Sequence, residues 1–381
     1  MAEEIEIRVR GRRFAGWKEV QIFRSMEHVA GGFEITMHDL SPRAAVPGQP
    51  IEIYLGTRDR LLRGYVDRVK ARMSSREARI QGRDRTSDLV DNSAGLRPGE
   101  GEALEENLEY LSIRLERLVR SLAEPFGIEV LVTDVDATTF IDKFAVEPGE
   151  TAWASIERAC RQLGILAFSN GDGNLVLARP GNQHATRDLV QGENVLDAEL
   201  DLSLADRHSV YIVKAQRRGQ DDEFGSVVAA VEGRASDSEI DRFRPLLVLS
   251  EAMSSSSSAE SRAQWEATVR AARGAQIFVE TQGLREFPSL PTTPIWQPNR
   301  TVRARLPKLS LDSEFLIASV RLTSSERGKR ARIRLVRPDA YTPKEEVEVL
   351  EGGFQEYLRE WEAVQGGTNV PASFLEEDED G

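Results

Sequence analysis

Apolar and polar residues alternate with a period of two along most of this chain, and that pattern limits the fold more than any motif does. In "PGQPIEIYLG", Ile51, Ile53 and Leu55 share one face, and in "LLRGYVDRVKARM" Leu62, Gly64 and Val66 do the same. "REARIQGRD" adds a further strand, and "WKEVQIFRSMEHVAGGFEITMHDL" predicts paired strands with Gly31 and Gly32 near a turn or bulge. Residues 1–98 are therefore expected to form a small antiparallel β-barrel or sandwich.

The pattern returns in residues 183–343, as "NVLDAELDLSL", "HSVYIVKAQ", "AQIFVETQG", "TVRARLPKL", "EFLIASVRLTS" and "KRARIRLVRPD". "PGQPIEIYLG...LLRGYVDRVKARMSSREARIQGRD" and "PNRTVRARLPKL...EFLIASVRLTSSERGKRARIRLVRPD" share an order of turn, short strand, loop, long strand, polar turn and short strand. Val66 to Ile80 spans fourteen residues and Val320 to Ile333 thirteen. The residue-by-residue match is weak, but the order predicts two similar barrels in one chain.

Between them the period changes. "LEYLSIRLERLVRSL" places Leu108, Leu111, Leu115, Leu118, Val119 and Leu122 at helical spacing, and Pro125 with Gly127 ends the run. "IEVLVT" predicts a strand, "TAWASIERACRQLG" a helix, and "LAFSNGDGNLVLARPG" a hairpin around Gly171 to Gly173. Residues 99–182 thus predict an inserted α+β domain, and the whole chain an α+β, mainly β fold. A helical insertion at about residues 254–274 carries Trp265, Val269 and Ala272 behind a serine run, which supplies a flexible approach and N-cap rather than a catalytic array.

The net charge of -13 is unevenly spread: residues 344–381 hold twelve acidic and two basic residues, so ten of the thirteen net negative charges lie there. The final "FLEEDEDG" predicts a solvated arm, alternatively an electrostatic arm for a basic partner. Before it, Phe354, Tyr357, Leu358 and Trp361 fall at i, i+3, i+4 and i+7, which predicts a short amphipathic helix. Such a helix packs on its own body or docks on a partner.

The search for chemistry is mostly negative. No phosphate-cradling glycine loop, dinucleotide fingerprint, zinc helix motif or paired C-x-x-C is present. His28, His38, His184 and His208 are scattered, so neither a metal site nor a cofactor is expected. Asn170, Asp172 and Asn174 suggest calcium, but the sixth position of an EF-hand would be Leu175 and the twelfth Gly181. The lone Cys160 shares a helical face with Trp153, Ile156 and Leu163 and is expected to be buried. Only seven of 50 basic residues are Lys, yet acids interleave through the body, against a net basic nucleic-acid face. No stretch approaches the roughly 18 to 20 apolar residues of a membrane span. The first residues also lack the apolar core of a secretory signal, so synthesis in the cytoplasm is expected.

The stretches "LLRGYVDRV" and "IQGRDRTSDLVDNSA" resemble the baseplate hub proteins of contractile-tailed phages, the Mu-like tail hub family, related to the hub part of type VI secretion spike proteins. "WEATVRAARG", "PIWQPNRTVRARLP", "FLIASVRL" and "RLVRPDAY" match further signatures in order, from about residue 15 to 343. On this resemblance Gly82, Arg83, Thr86, Asp88, Leu89, Trp265, Trp296, Pro298 and Asn299 are structural motif positions. Gly82 is expected to permit a close turn, Thr86, Ser87 or Asp88 to cap the next helix, and Leu89 and Val90 to anchor it. Gly283-Leu284 departs from the family's frequent Gly-Trp pair.

The resemblance implies a non-enzymatic hub with two tube-like barrels. A homotrimer of such chains would adapt a six-fold inner tail tube, or its initiator, to a three-fold central spike, and bind other baseplate proteins. DNA would pass through its pore, and no membrane insertion is implied. Two readings stand beside it. One is a glycan- or receptor-binding β protein using Trp17, Trp296 and Trp361; the other is a tail-borne peptidoglycan hydrolase.

Overall fold

The computed structural model describes residues 4–38, 45–74, 77–95, 109–133, 135, 140–181, 183–216, 230–250 and 256–341. The chain divides into a larger unit, Met1–Ser209 with Ser236–Arg244 and Trp265–Lys344, and a smaller one, Val210–Ala235 with Pro245–Gln264 and Glu345–Gly381. It is mainly β, and antiparallel pairing dominates its largest sheet.

The alternation of the first residues becomes strands β1 (Ile5–Val9), β2 (Arg12–Phe14), β3 (Trp17–Ser25), β4 (Gly32–His38), β5 (Pro50–Leu55), β6 (Asp59–Arg72) and β7 (Glu77–Asp84). Burial alternates residue by residue in β1, β4 and β7, because successive side chains point to opposite faces. β3, β4, β7, β6 and β5 lie side by side in that order, and β5 continues to β1 and β2.

Next come α1 (Ser87–Asp91), β8 (Glu109–Arg114), α2 (Leu115–Ala123), β9 (Val130–Thr133), β10 (Phe140–Ala145), α3 (Ala152–Gln162), β11 (Leu166–Ser169) and β12 (Leu175–Ala178). β11 and β12 form the expected hairpin, and β9 lies parallel to β12. With α2 and α3 they bury a second apolar cluster that includes Leu118, Leu122, Ile156 and Cys160. The helix expected from Leu108 begins only at Leu115. Glu109–Arg114 pairs instead with Phe140–Ala145, which leaves Leu111 73% exposed despite its helical spacing. Pairing with a distant strand overrides the local pattern.

The remaining elements are β13 (Gln183–His184), β14 (Leu189–Val190), β15 (Val195–Leu202), β16 (Val210–Gln216), β17 (Ala230–Ser236), β18 (Pro245–Ser250), α4 (Ser256–Arg273), β19 (Ala275–Gln282), β20 (Arg300–Leu306), β21 (Leu311–Ser325) and β22 (Gly328–Val336). β15, β19, β22, β21 and β20 lie side by side in that order. The strand expected from "HSVYIVKAQ" does not join them: β16 lies between β17 and β18 in a sheet of its own.

Numbered within themselves, the two five-strand sets have the same order, 1-2-5-4-3, and two of their register breaks coincide, while the break at Ile53/Tyr54 between β5 and β6 has no counterpart between β20 and β21. The first strand pair breaks register at Trp17/Glu19 in one set and at Val195/Asp197 in the other. The fourth strand breaks register against the fifth at Val66/Arg68 and at Ile317/Ser319. A bulge adds one residue to one strand and bends it, so matched bulges mark matched shapes. The ladders Val69↔Ile80 and Val320↔Ile333 then correspond, so Val69, not Val66, is the counterpart of Val320.

The sets meet where β21 pairs with β3, from Ser319↔Ser25 to Ser325↔Glu19. Strands expected in two separate barrels therefore share one 14-stranded sheet, whose main path runs open from β15 to β2 among the described residues. Ile7, Ile35 and Ile53 of one set share a cluster with Val279, Trp296 and Ile333 of the other.

Gly82, expected at a turn, lies within β7 opposite Phe33 and Val66. A methyl group there would sit 2.0 Å from the Tyr65 carbonyl oxygen and 2.6 Å from the Phe33 ring. Backbone cannot yield as a flexible side chain can, so Gly82→Ala is expected to destabilise the chain by about 3 kcal/mol, read as a lower midpoint in denaturant.

Candidate functional site

The stretch Gly82 to Ala94 is organised around a buried carboxylate. Asp84 is 0% exposed at the end of β7. One of its oxygens accepts from the Gly31 amide at 2.7 Å; the other accepts from the Thr86 amide at 2.9 Å and the Thr86 hydroxyl at 2.5 Å. Ser169 also bonds the carboxylate. Burial pushes the Asp84 pKa up, and these four donors oppose that shift. The turn between β3 and β4, the start of α1 and the end of β11 thus meet at one group, which joins the large sheet to the α+β region.

Neighbouring contacts extend the junction. The Ser169 amide donates to the Val29 carbonyl at 3.0 Å and the Arg63 amide to the Gly171 carbonyl at 2.9 Å. Arg85 donates to the Gly127 carbonyl at 2.9 Å. Arg24, buried on β3, donates to the Leu61 carbonyl, and burial lowers its pKa from the ordinary guanidinium range.

The expected helix cap is different in kind. Thr86 occupies the N-cap position of α1 without a side-chain cap bond, because its hydroxyl donates to Asp84 and to the Val29 carbonyl. Asp88 is half-buried, and its carbonyl accepts from the Asn92 amide and side chain. Leu89 is fully buried in the second cluster, where Val90 packs against it. Arg83 bridges outward to Asp91 at 2.6 Å and Asp67 at 2.7 Å, bonds that raise its pKa.

Of the other motif positions, Trp296, Pro298 and Asn299 lie just before β20 and Trp265 lies on α4. Asn299 has φ +62°, accepts from the Gly181 amide at 2.8 Å and donates to the Arg179 carbonyl at 3.0 Å. It clasps the chain as it leaves the α+β region. Pro298 and Asn299 line a cleft with Arg24, Phe168, Gln183 and Arg300. Trp296 is 1% exposed, which rules it out as a sugar platform, and its amide donates to the Leu284 carbonyl. Leu284, where the family often has Trp, is buried in the same cluster. Trp265 is half-buried on α4. The structure does not bring these residues together with Gly82 to Leu89 in one pocket. Phe354, Tyr357, Leu358 and Trp361 lie outside the described residues.

Besides Asp84 and Arg24, sequence reasoning missed two buried charges in the loop between β19 and β20. Glu286, 1% exposed, accepts from the Thr186 amide at 2.5 Å, the Thr186 hydroxyl and Arg300 at 3.1 Å. Arg285, 4% exposed, pairs with Asp59 at the start of β6 and so ties the second set to the first. Their only signal was adjacent opposite charges inside an otherwise uncharged loop. Asn170 turns its side-chain oxygen toward the Asp172 amide at 2.8 Å, a turn geometry rather than a calcium ligand set. Burial pushes the Cys160 thiol up to about 12. Among the described residues no group of three or more His, Cys, Asp or Glu is placed to hold a metal, and no helix is long and apolar enough to cross a membrane.

Baseplate hub protein gp44 of Escherichia phage Mu is 30% identical over 351 residues, 88% of each chain. The chain belongs to the Mu-like baseplate hub family. Three family descriptions match it in order: Mu phage baseplate assembly protein GpP-like, N-terminal, over residues 4–84; baseplate hub protein gp44-like, second domain, over 86–179; and Mu phage baseplate assembly protein GpP, fourth domain, over 255–344. The 43 kDa tail protein of prophage MuSo2 from Shewanella oneidensis is 29% identical with a TM-score of 0.74, covering 89% of this chain and 99% of that one. The tail protein from Neisseria meningitidis MC58 shares the fold at 20% identity and a TM-score of 0.70, covering 90% and 99%. Membership of the hub family supports a structural role in a phage tail baseplate. The boundary between the first two matches falls at Asp84 to Thr86, the buried junction.

Because Asp84 satisfies donors from three segments, Asp84→Ala is expected to cost about 3 kcal/mol, and Asp91→Ala, at the exposed Arg83 bridge, less than about 1 kcal/mol. Paired denaturant titrations check the ranking; equal losses would show that the buried carboxylate holds nothing special.

Proposed function

We propose that the protein is the non-enzymatic hub of a contractile phage tail, a homotrimeric ring that adapts a six-fold inner tail tube to a three-fold central spike. The observation that carries this reading is the duplicated 1-2-5-4-3 strand order with its matched bulges. Three chains with two such sets each present six similar elements around a three-fold axis, and closed rotational symmetry makes that the smallest adapter between the two symmetries.

In this reading residues 1–98 and 183–343 each supply a tube-like barrel, completed in the assembly. Residues 99–182 form the inserted α+β domain, 254–274 the helical insertion and 344–381 the acidic tail. The nine motif residues, from Gly82 to Asn299, fix the two sets and the insertion relative to one another. Phe354, Tyr357, Leu358 and Trp361 dock the tail on its own body or a partner. One face of the ring meets the inner tube or its initiator and the other the central spike, with further baseplate proteins outside. DNA passes through the pore, and the hub is made in the host cytoplasm and carried in the virion.

Light scattering across a range of concentrations tests the stoichiometry. The expected mass is three times 42.5 kDa for the chain alone, or a complex holding three such chains once spike and tube proteins are added. A chain that stays monomeric at micromolar concentration in every such mixture would overturn the ring.

A further inference from the structure

The two sets are equivalent strand by strand, but their outer contacts are not. Through the shared ladders, Val20, Gln21, Ile22, Phe23 and Arg24 of β3 correspond to Ala198, Glu199, Leu200, Asp201 and Leu202 of β15. Ser319 to Thr323 of β21 correspond to Arg68, Val69, Lys70, Ala71 and Arg72 of β6. Within the chain the β21 segment pairs antiparallel with β3. Among the described residues, its counterpart on β6 pairs only with β7, and β15 ends the sheet's main path with β19 as its one strand partner. One copy of the seam is filled and the other is open at both edges.

We propose that the segment Arg68–Arg72 of one copy of this chain pairs antiparallel with β15 of the next copy, in the register of the internal β21–β3 seam. This rests on the ring proposed above and specifies its contacts. Transposing the seam sets Val69 opposite Leu202, Lys70 opposite Asp201, Ala71 opposite Leu200 and Arg72 opposite Glu199. The same step sets Arg68 opposite Ser203, one residue past the end of β15. Side-chain chemistry, which played no part in the transposition, agrees with it: Val69–Leu202 and Ala71–Leu200 are apolar on one face, and on the other Lys70 and Arg72 each face an acid while Arg68 faces a serine. A slip of one residue would set every charge against an aliphatic side chain.

Exposure agrees too. Leu202 is 70% exposed, and Lys70, Ala71, Arg72, Glu199 and Asp201 are all exposed. Charged residues on an edge strand can serve to block pairing. Here, however, one open edge is basic and the other acidic, which favours one edge meeting the other and disfavours like edges meeting. The contact is heterologous, so each copy uses both edges, and three such contacts close the proposed ring when each turns the chain by a third of a revolution.

Charge reversal on the full-length chain tests the proposal. Lys70→Glu with Arg72→Glu, and separately Glu199→Lys with Asp201→Lys, are expected to raise the concentration needed for assembly roughly tenfold to a hundredfold, since like charges then face each other. Combining all four substitutions in one chain restores assembly. As a readout independent of that rescue, a Lys70→Cys, Asp201→Cys chain forms covalent multimers on oxidation.

Reversed variants that assemble as the wild type does, or a cysteine pair that yields only monomer from an assembled ring, would overturn this contact and leave the ring standing. A wild-type chain that never associates, even with tube and spike proteins, would overturn both.

Discussion

The antiparallel ladder between β3 and β21 is the contact on which the larger unit depends. It runs from Ser319↔Ser25 to Ser325↔Glu19 and joins two five-strand sets far apart in sequence. Each set alone would expose an unpaired edge and half an apolar layer. Joined, they bury one cluster that reaches from Ile7 to Leu335. Arg285 reinforces the join through Asp59, an ion pair from a buried cation to the start of β6. Such a contact fixes relative position more than it adds stability, because desolvation offsets most of its Coulombic gain.

The α+β region is attached by apolar and polar contacts together: Phe168 and Ala178 share a buried cluster with Met26, next to β3, and with Leu316, Ala318 and Val336 of the large sheet. Asp84 gathers donors from Gly31, Thr86 and Ser169 where the chain leaves the first set, and Asn299 clasps Arg179 and Gly181 where it returns. Buried hydrogen-bond networks of this kind are directional, and they are costly when half satisfied. They add direction to the apolar contact that Phe168 and Ala178 make with the large sheet.

Much of this was legible in the sequence, for a physical reason. Period-two alternation follows from strand geometry, so Ile51, Ile53, Leu62 and Val66 announced their strands, and the shared order of the two meanders announced the duplication. What was lost depends on distant partners. Nothing near Glu109–Arg114 indicates that it will pair with Phe140–Ala145 and cut short a well-patterned helix. Thr86 looked like a cap residue because its local pattern suits a cap, whereas its hydroxyl meets Asp84 and the distant Val29 carbonyl; Asp84 itself drew no reading, because Gly31 and Ser169 lie elsewhere in the chain. Gly82 was rightly singled out but for the wrong reason, since a close strand crossing and a turn both favour glycine. Glu286 and Arg285 carried almost no local signal, and β16 was assigned to the wrong sheet because alternation does not name a partner strand.

The account's central claim is that two copies of one strand arrangement in each chain occupy equivalent places in a closed hub. An electron cryomicroscopy map of the assembled hub tests it most directly. The account predicts six equivalent five-strand sets around one axis, two from each of three chains, with inner β21–β3 seams alternating with seams between copies. A ring with another number of sets, or with the two sets of a chain at different radii in unlike surroundings, would contradict it.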